Sequence, residues 1–294
     1  MVLFLDSGVG GLVYLEEFQK RRPDVPCHYV ADTAFFPYGT RPPEEVRDRL
    51  VALVGAILNR GLSPEVIVVA CNTASVVALG ALRRTWSIPF VGVVPAVKPA
   101  AARTRTGHLA LLATVQTTRD PYTDDLVKTF ARYCRVSRLG LPRLVQAAEE
   151  SFCSGETKVS RVIREEVLPV LDEDVDTVVL ACTHFVRYRH LFSHILGPSV
   201  TVVDSLEGVV QRTLAIYPRE QLRAREPHPG EEDVPRNQSL LFHTGPLSPG
   251  QSCLAERYQM QTLVLLSEVG PEPETSPEDD PAALRETEGE VLSP

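Results

Sequence analysis

No apolar run in this 294-residue chain reaches the length needed to span a membrane. Its opening, MVLFLDSGVGG, meets an acid and glycines too soon for an export signal, so the expectation is a soluble, cytoplasmic protein. The arginines form no basic stripe with interleaved aromatics, which leaves no electrostatic ground for a nucleic-acid partner. Neither a CxxC pair nor a Cys/His ladder occurs, and this argues against structural zinc and against a dithiol redox motif. Cysteines stand at 27, 71, 134, 153, 182 and 253, irregularly spaced in a chain large enough to need no disulfide staples.

What is present is a large apolar share, 44%, which excludes disorder throughout. The net charge of -8 is local in origin: residues 268–294 hold nine acids and one arginine. Without them the chain has 29 acidic and 29 basic side chains, a nearly neutral body. The tail from 267 to 294 has too few apolar groups to order itself and reads as disordered, while 219–238, rich in Arg, Glu, Pro and Gly, reads as a loop.

Between these, short apolar strands alternate with helical patterns. Strands are expected at 2–5, 27–31, 66–70, 89–94, 108–114, 176–181 and 201–204. Helices are expected over 11–21, 43–60, from about Thr73, over 119–134 and after 204. VIVVA and TVVLA are continuous apolar runs of the kind buried on both faces of a parallel sheet. The fold class is therefore α/β, with two similar domains of mainly parallel sheets flanked by helices and the active site in the cleft between them. The first domain comprises 1–97 plus 206–266, and the second 98–205. The boundary rests on VVPAVKPA, whose prolines interrupt regular structure.

Ligands of open α/β sheets sit beyond the carboxyl ends of the strands. Asp6 and Ser7, Asp32, Cys71 to Thr73, Thr114, and Cys182 to His184 all follow strands. A cysteine after an apolar strand is usually core, and Cys27, Cys134, Cys153 and Cys253 take that reading. Cys71 and Cys182 stand apart, because each precedes small polar residues and a helix start whose amide dipoles would lower a thiol pKa. DSGVGG lacks the spacing of a dinucleotide fingerprint; it is either a tight turn in which Ser7 caps a helix or an anion-binding loop. Tyr38 is either loop packing or a hydrogen-bond donor to a ligand. His184 is a capped histidine or an acid-base group. Glu149 and Glu150, judged by composition alone, belong to a solvated helix face.

If Cys71 and Cys182 meet across a cleft, one thiolate removes a proton from a substrate carbon and the other thiol returns one from the opposite face, inverting the centre. The segments FLDSGVGGL (4–12), YVADTAFFPYGTR (29–41), VVACNTAS (68–75), VGVVPAVKPAA (91–101), LLATVQTTRDPY (111–122), LACTHF (180–185) and VVDS (202–205) add a family likeness. Over about residues 2–265 the chain resembles the glutamate racemases of the cofactor-independent aspartate/glutamate racemase superfamily.

That resemblance implies interconversion of L- and D-glutamate for peptidoglycan synthesis, with no cofactor, no metal and no membrane partner, by an enzyme that is often a homodimer. It implies Cys71 and Cys182 as the acid-base thiols, acting on the D- and L-enantiomers respectively, assisted by Asp6, His184 and Glu149. It implies substrate contacts from Asp6, Ser7, Tyr38, Gly39, Asn72, Thr73, Thr114, Thr117, Thr183 and His184. The chain departs from the family's common residues at Phe185 and Val186, at Gln116, and over LPRLVQAAEE (141–150). Two other functions stay open: a racemase for aspartate or another small acid, and a non-catalytic α/β interaction protein.

Overall fold

A computed structural model describes residues 1–217, 239–248, 251, 253–258 and 260–264. Strand β1 (Val2–Asp6) leads to α1 (Leu12–Arg21), β2 (Cys27–Ala31), α2 (Pro43–Asn59), β3 (Val66–Val69), α3 (Asn72–Thr85), β4 (Phe90–Gly92) and α4 (Val97–Ala101). The series restarts with β5 (His108–Ala113), α5 (Val115–Arg119), α6 (Pro121–Phe130), β6 (Arg135–Gly140), α7 (Pro142–Glu150) and α8 (Thr157–Glu166). It continues through β7 (Thr177–Ala181), α9 (Thr183–Arg187), α10 (Arg189–Leu196) and β8 (Thr201–Val203). The chain then returns to the first sheet through α11 (Leu206–Ile216), β9 (Leu240–His243), α12 (Leu254–Arg257) and β10 (Gln261–Val264).

All pairings are parallel, in two sheets of order β10-β9-β2-β1-β3-β4 and β6-β5-β7-β8. The period of two sends alternate side chains to opposite faces. In β1, Leu3 and Leu5 pack with α2 and α3, whereas Val2 and Phe4 pack with α1 and α11. In β5, Ala110 and Leu112 meet α7 and α8, whereas Leu109 and Leu111 meet Ala100 of α4 and the α6 side. Covering both faces is why the central strands read as unbroken apolar runs.

Each sheet has one place where the winding reverses, between β1 and β3 in the first and between β5 and β7 in the second. Crevices open at such points beyond the strand ends. Asp6 and Cys71 leave the first crevice and Thr114 and Cys182 the second.

Several expectations change. The helix expected over 119–134 is shorter, α6 from Pro121 to Phe130; Asp120 is extended between it and the separate α5, and its side chain caps α6 by accepting the Tyr122 N–H at 2.9 Å. The prolines of 95–99 do not exclude helix; Pro99 sits within the short α4, whose early turn needs no donor from it. Strand β6, unassigned by pattern, is a half-exposed edge with charged side chains. Cys153 and Cys253 are not lone core thiols: they form a disulfide linking positions 100 residues apart. Cys27 and Cys134 are free. The expected loop at 219–238 and the acidic tail at 267–294 lie outside the described residues.

The loop after β2 is fixed by a buried network around Asp32. Arg49 of α2 donates to both carboxylate oxygens, Nη2 to Oδ1 at 2.6 Å and Nε to Oδ2 at 2.9 Å, and the Tyr38 hydroxyl donates to Oδ2 at 2.7 Å. Thr244, following β9, donates to Oδ1 at 2.5 Å. Arg49→Met removes the cation and strands a fully buried carboxylate; we expect a loss of about 3–5 kcal/mol in denaturant unfolding. A loss below about 1 kcal/mol would show that the network contributes little to the fold.

Candidate active site

Cys71 is the N-cap of α3 and Cys182 the N-cap of α9; both are extended residues, buried, and carry free thiols. The repeated pattern of apolar strand, cysteine, small polar residue and helix thus puts the two sulfurs in equivalent places on the two sheets. Their surroundings differ.

Cys71 lies beside Asp6, whose Oδ1 accepts the Ser7 N–H at 2.7 Å and whose Oδ2 accepts the Gly11 N–H at 2.7 Å. The Tyr29 hydroxyl, 2.9 Å from the Gly8 carbonyl to which it donates, also stands 3.2 Å from Asp6 Oδ2. Burial raises the Asp6 pKa against the opposing pull of His184 and the two amides. Burial likewise pushes the Cys71 thiol well above its ordinary value, with Asp6 adding to the shift and the Ala74 N–H opposing it. The sequence-based expectation that helix amides lower this thiol's pKa is therefore overturned for Cys71, because desolvation and a neighbouring carboxylate outweigh one backbone donor.

Cys182 faces a different partner: its Sγ is 3.8 Å from His184 Nδ1, while His184 Nε2 is 2.5 Å from Glu149 Oε2. Burial alone favours the neutral ring, but the Glu149 carboxylate and Cys182 overcome it and raise the His184 pKa well above the ordinary histidine value. Glu149 does not lie on a solvated face, as composition suggested. The last residues of α7 turn it inward, it is buried, and only Glu150 points out to Lys158. The segment 141–150 that departs from the family is the helix that delivers it.

Glycines let these groups converge. A Cβ on Gly8 would lie 2.5 Å from Glu149 Oε1, and one on Gly10 would lie 2.6 Å from His184 Nδ1 and 2.7 Å from Thr183 Oγ1. Gly39 is similarly close to Thr114, with 2.6 Å between a Cβ and its Cβ. Ser7 does not cap α1, since Gly11 holds that position without a side-chain bond. Its hydroxyl is 3.5 Å from Asp6 Oδ1.

Three threonine hydroxyls form a triangle across the two halves: Thr73 to Thr114 at 2.9 Å, Thr73 to Thr117 at 3.3 Å, and Thr114 to Thr117 at 3.0 Å. Beside Thr73, both side-chain amide atoms of Asn72 are buried with no partner among the described residues. An orphaned buried amide is costly in the empty protein and well suited to a polar ligand. Tyr38 is buried, but its hydroxyl is committed to Asp32, so the loop it anchors presents the Gly39 backbone to Thr114.

Sequence reasoning missed Tyr29, Arg49 and Gln251. A tyrosine inside a buried strand needs a partner for its hydroxyl, a signal available for Tyr29; Gln251 and Arg49 carry no local signal. Among the described residues no three His, Cys, Asp or Glu side chains are arranged to hold a metal ion. A cavity of about 530 Å³ near Leu79, Val91, Lys98 and Val209 contains neither thiol.

The Asp/Glu/Hydantoin racemase family profile matches residues 14–213. The chain belongs to that family. It is 42% identical over 222 residues to a glutamate racemase of Treponema pallidum (strain Nichols), an alignment covering 75% of this chain and 82% of that protein. It is 35% identical over 272 residues to a glutamate racemase of Histophilus somni (strain 129Pt), covering 91% and 97% of the two. The crystal structure of Escherichia coli glutamate racemase, solved with L-glutamate and the activator UDP-MurNAc-Ala, superposes with a TM-score of 0.76 at 34% identity, covering 90% of this chain and 96% of that one.

Because the folded-state pKa of His184 is raised, its protonated ring contributes stability fully below about 6.5 and loses that contribution as pH climbs through the folded value. Glu149→Gln removes the charge that raises it. We expect the His184 ring, followed by NMR, to titrate at lower pH in this variant than in the parent, because only Cys182 and Asp6 are then left to oppose burial. Overlaying titrations of variant and parent would assign the shift to those other groups.

Proposed function

We propose that this protein is an amino-acid racemase that interconverts L- and D-glutamate and so supplies D-glutamate for peptidoglycan. The observation that carries this reading is the pair of buried thiols at equivalent helix N-caps, each with its own acid-base partner.

In the L-to-D direction, Cys182 as thiolate takes the α-proton and Cys71, whose proton burial and Asp6 hold tightly, gives one to the opposite face. In the reverse direction the roles exchange. His184, held by Glu149, exchanges a proton with Cys182, and Asp6 does so with Cys71, so each sulfur returns to its starting state. The reaction moves one proton on and one off a carbon, which two thiols suffice to do, so the reading includes no cofactor. Asn72 offers its unpartnered amide to a substrate carboxylate, while Thr73, Thr114, Thr117 and Thr183 offer hydroxyls. Ser7 and the Tyr38–Gly39 turn complete the pocket rim.

We read residues 1–97 with 206–266 as one domain and 98–205 as the other, in line with the membership of the two sheets. We also read the enzyme as a cytoplasmic homodimer. Support for the first part is that no helix among the described residues is long and apolar enough to cross a membrane, and for the second that Tyr122, Phe130 and Tyr133 are exposed.

The test is circular dichroism of L-glutamate, D-glutamate and L-aspartate incubated with purified protein, alongside Cys71→Ala and Cys182→Ala. Both glutamate enantiomers should decay to one racemic endpoint while aspartate holds its signal, and each variant should lose at least about 10³ in turnover. Decay of aspartate alone would reassign the substrate; full turnover by either alanine variant would end the two-thiol mechanism.

A further inference from the structure

Glu149 borders a cavity of about 440 Å³ whose walls include Phe36, Gln146, Pro246 and Ser248. With open space on one side, its carboxylate is placed by hydrogen bonds more than by packing. Oε2 takes the Val9 N–H at 3.1 Å and the His184 ring, and Oε1 takes the Gln251 side-chain amide at 2.5 Å. The orientation of that amide is fixed, because its carbonyl oxygen accepts the Ser248 N–H at 2.8 Å and the NH2 must then face Glu149.

Two residues beyond Gln251, Cys253 is bonded to Cys153, four residues beyond Glu149, with the Cα atoms 6.0 Å apart. Both cysteines are only partly buried. The same two segments are therefore joined twice, by an amide on a carboxylate and by a covalent bond.

We propose that Gln251 is a positioning residue for the Glu149–His184 pair, and that the Cys153–Cys253 disulfide is a redox-sensitive fastening that keeps Gln251 in place. This rests on the racemase reading of the two thiols. Opening the fastening takes a dithiol reductant. One of its thiolates attacks a sulfur of the disulfide, forming a mixed disulfide and expelling the other cysteine as thiolate; its second thiol then releases the first cysteine. The reductant leaves as a disulfide, having passed two electrons and two protons to Cys153 and Cys253. In a compartment that keeps thiols reduced, such a bond is a signal more than a staple.

The groups that face His184 are Glu149 from α7, Cys182 from its own turn and Asp6 from β1. Losing the Gln251 donor leaves Glu149 free to swing into the cavity, which weakens its hold on the imidazolium and brings the ring pKa down.

The experiment uses the full chain, oxidised and after dithiothreitol, with Gln251→Ala and the double variant Cys153→Ser/Cys253→Ser. It reads the pH profile of turnover and, in substrate-free protein, the NMR titration of the His184 ring. In Gln251→Ala we expect kcat to fall about tenfold with KM little changed, and the ring titration and the alkaline limb to move down by about one pH unit. Reduction of the parent should move both the same way, and the double variant should match the reduced parent and ignore dithiothreitol. Ring titrations of Gln251→Ala and parent that overlay would overturn the positioning role; identical oxidised and reduced parent would overturn the fastening. If Gln251→Ala does not fold, the oxidised and reduced parent still decide. A shifted ring titration in a protein silent towards glutamate would remove the substrate assignment and leave this inference standing.

Discussion

A carboxylate taken out of water must find donors, and Glu149 collects them from both halves of the molecule. Val9 and Gln251 reach it from the side of the first sheet, and His184 from the second. Glu149 and His184 both belong to the second half, so the pair beside Cys182 is held in place by donors that reach Glu149 from the first half. The glycines at 8 and 10 are part of the same constraint, since any side chain there would occupy the space that Glu149, Thr183 and His184 need. The DSGVGG loop, read from sequence as a tight turn or an anion-binding loop, does hold anions. Its backbone donates to Asp6 and Glu149, so the anions it holds are the protein's own.

The two thiols share a local design and differ in their second partner. Cys71 is governed by burial and a carboxylate, which keep its proton on; Cys182 stands beside a histidine. Such an asymmetry is what a two-base racemisation requires, because one sulfur must be ready to accept a proton when the other is ready to give one. The symmetry of the sheets places the two sulfurs, and Asp6 beside one and the His184–Glu149 pair beside the other make their surroundings differ.

The sheets were legible in the sequence because strands such as VIVV and TVVLA, covered on both faces, are apolar throughout and end at polar residues. The thiols were legible for the same reason: a cysteine after such a strand and before a helix is a local pattern. Glu149 was not, because its inward turn comes from the packing of α7 on α8 and from donors more than a hundred residues away in the chain. Strand β6 escaped because an exposed edge needs no apolar run. The pairing of Cys153 with Cys253 could not be read from spacing, since the contact depends on the chain returning to the first sheet after β8.

The hydroxyl triangle of Thr73, Thr114 and Thr117 has a consequence for how substrate arrives. It ties the two halves together two residues beyond Cys71. Yet hydroxyls exchange one another for water at a net difference of only about 1 kcal/mol per bond. The closed shape is thus marked by these contacts without being locked by them. A polar ligand bringing its own donors and acceptors to that place would replace these contacts with little net change in free energy.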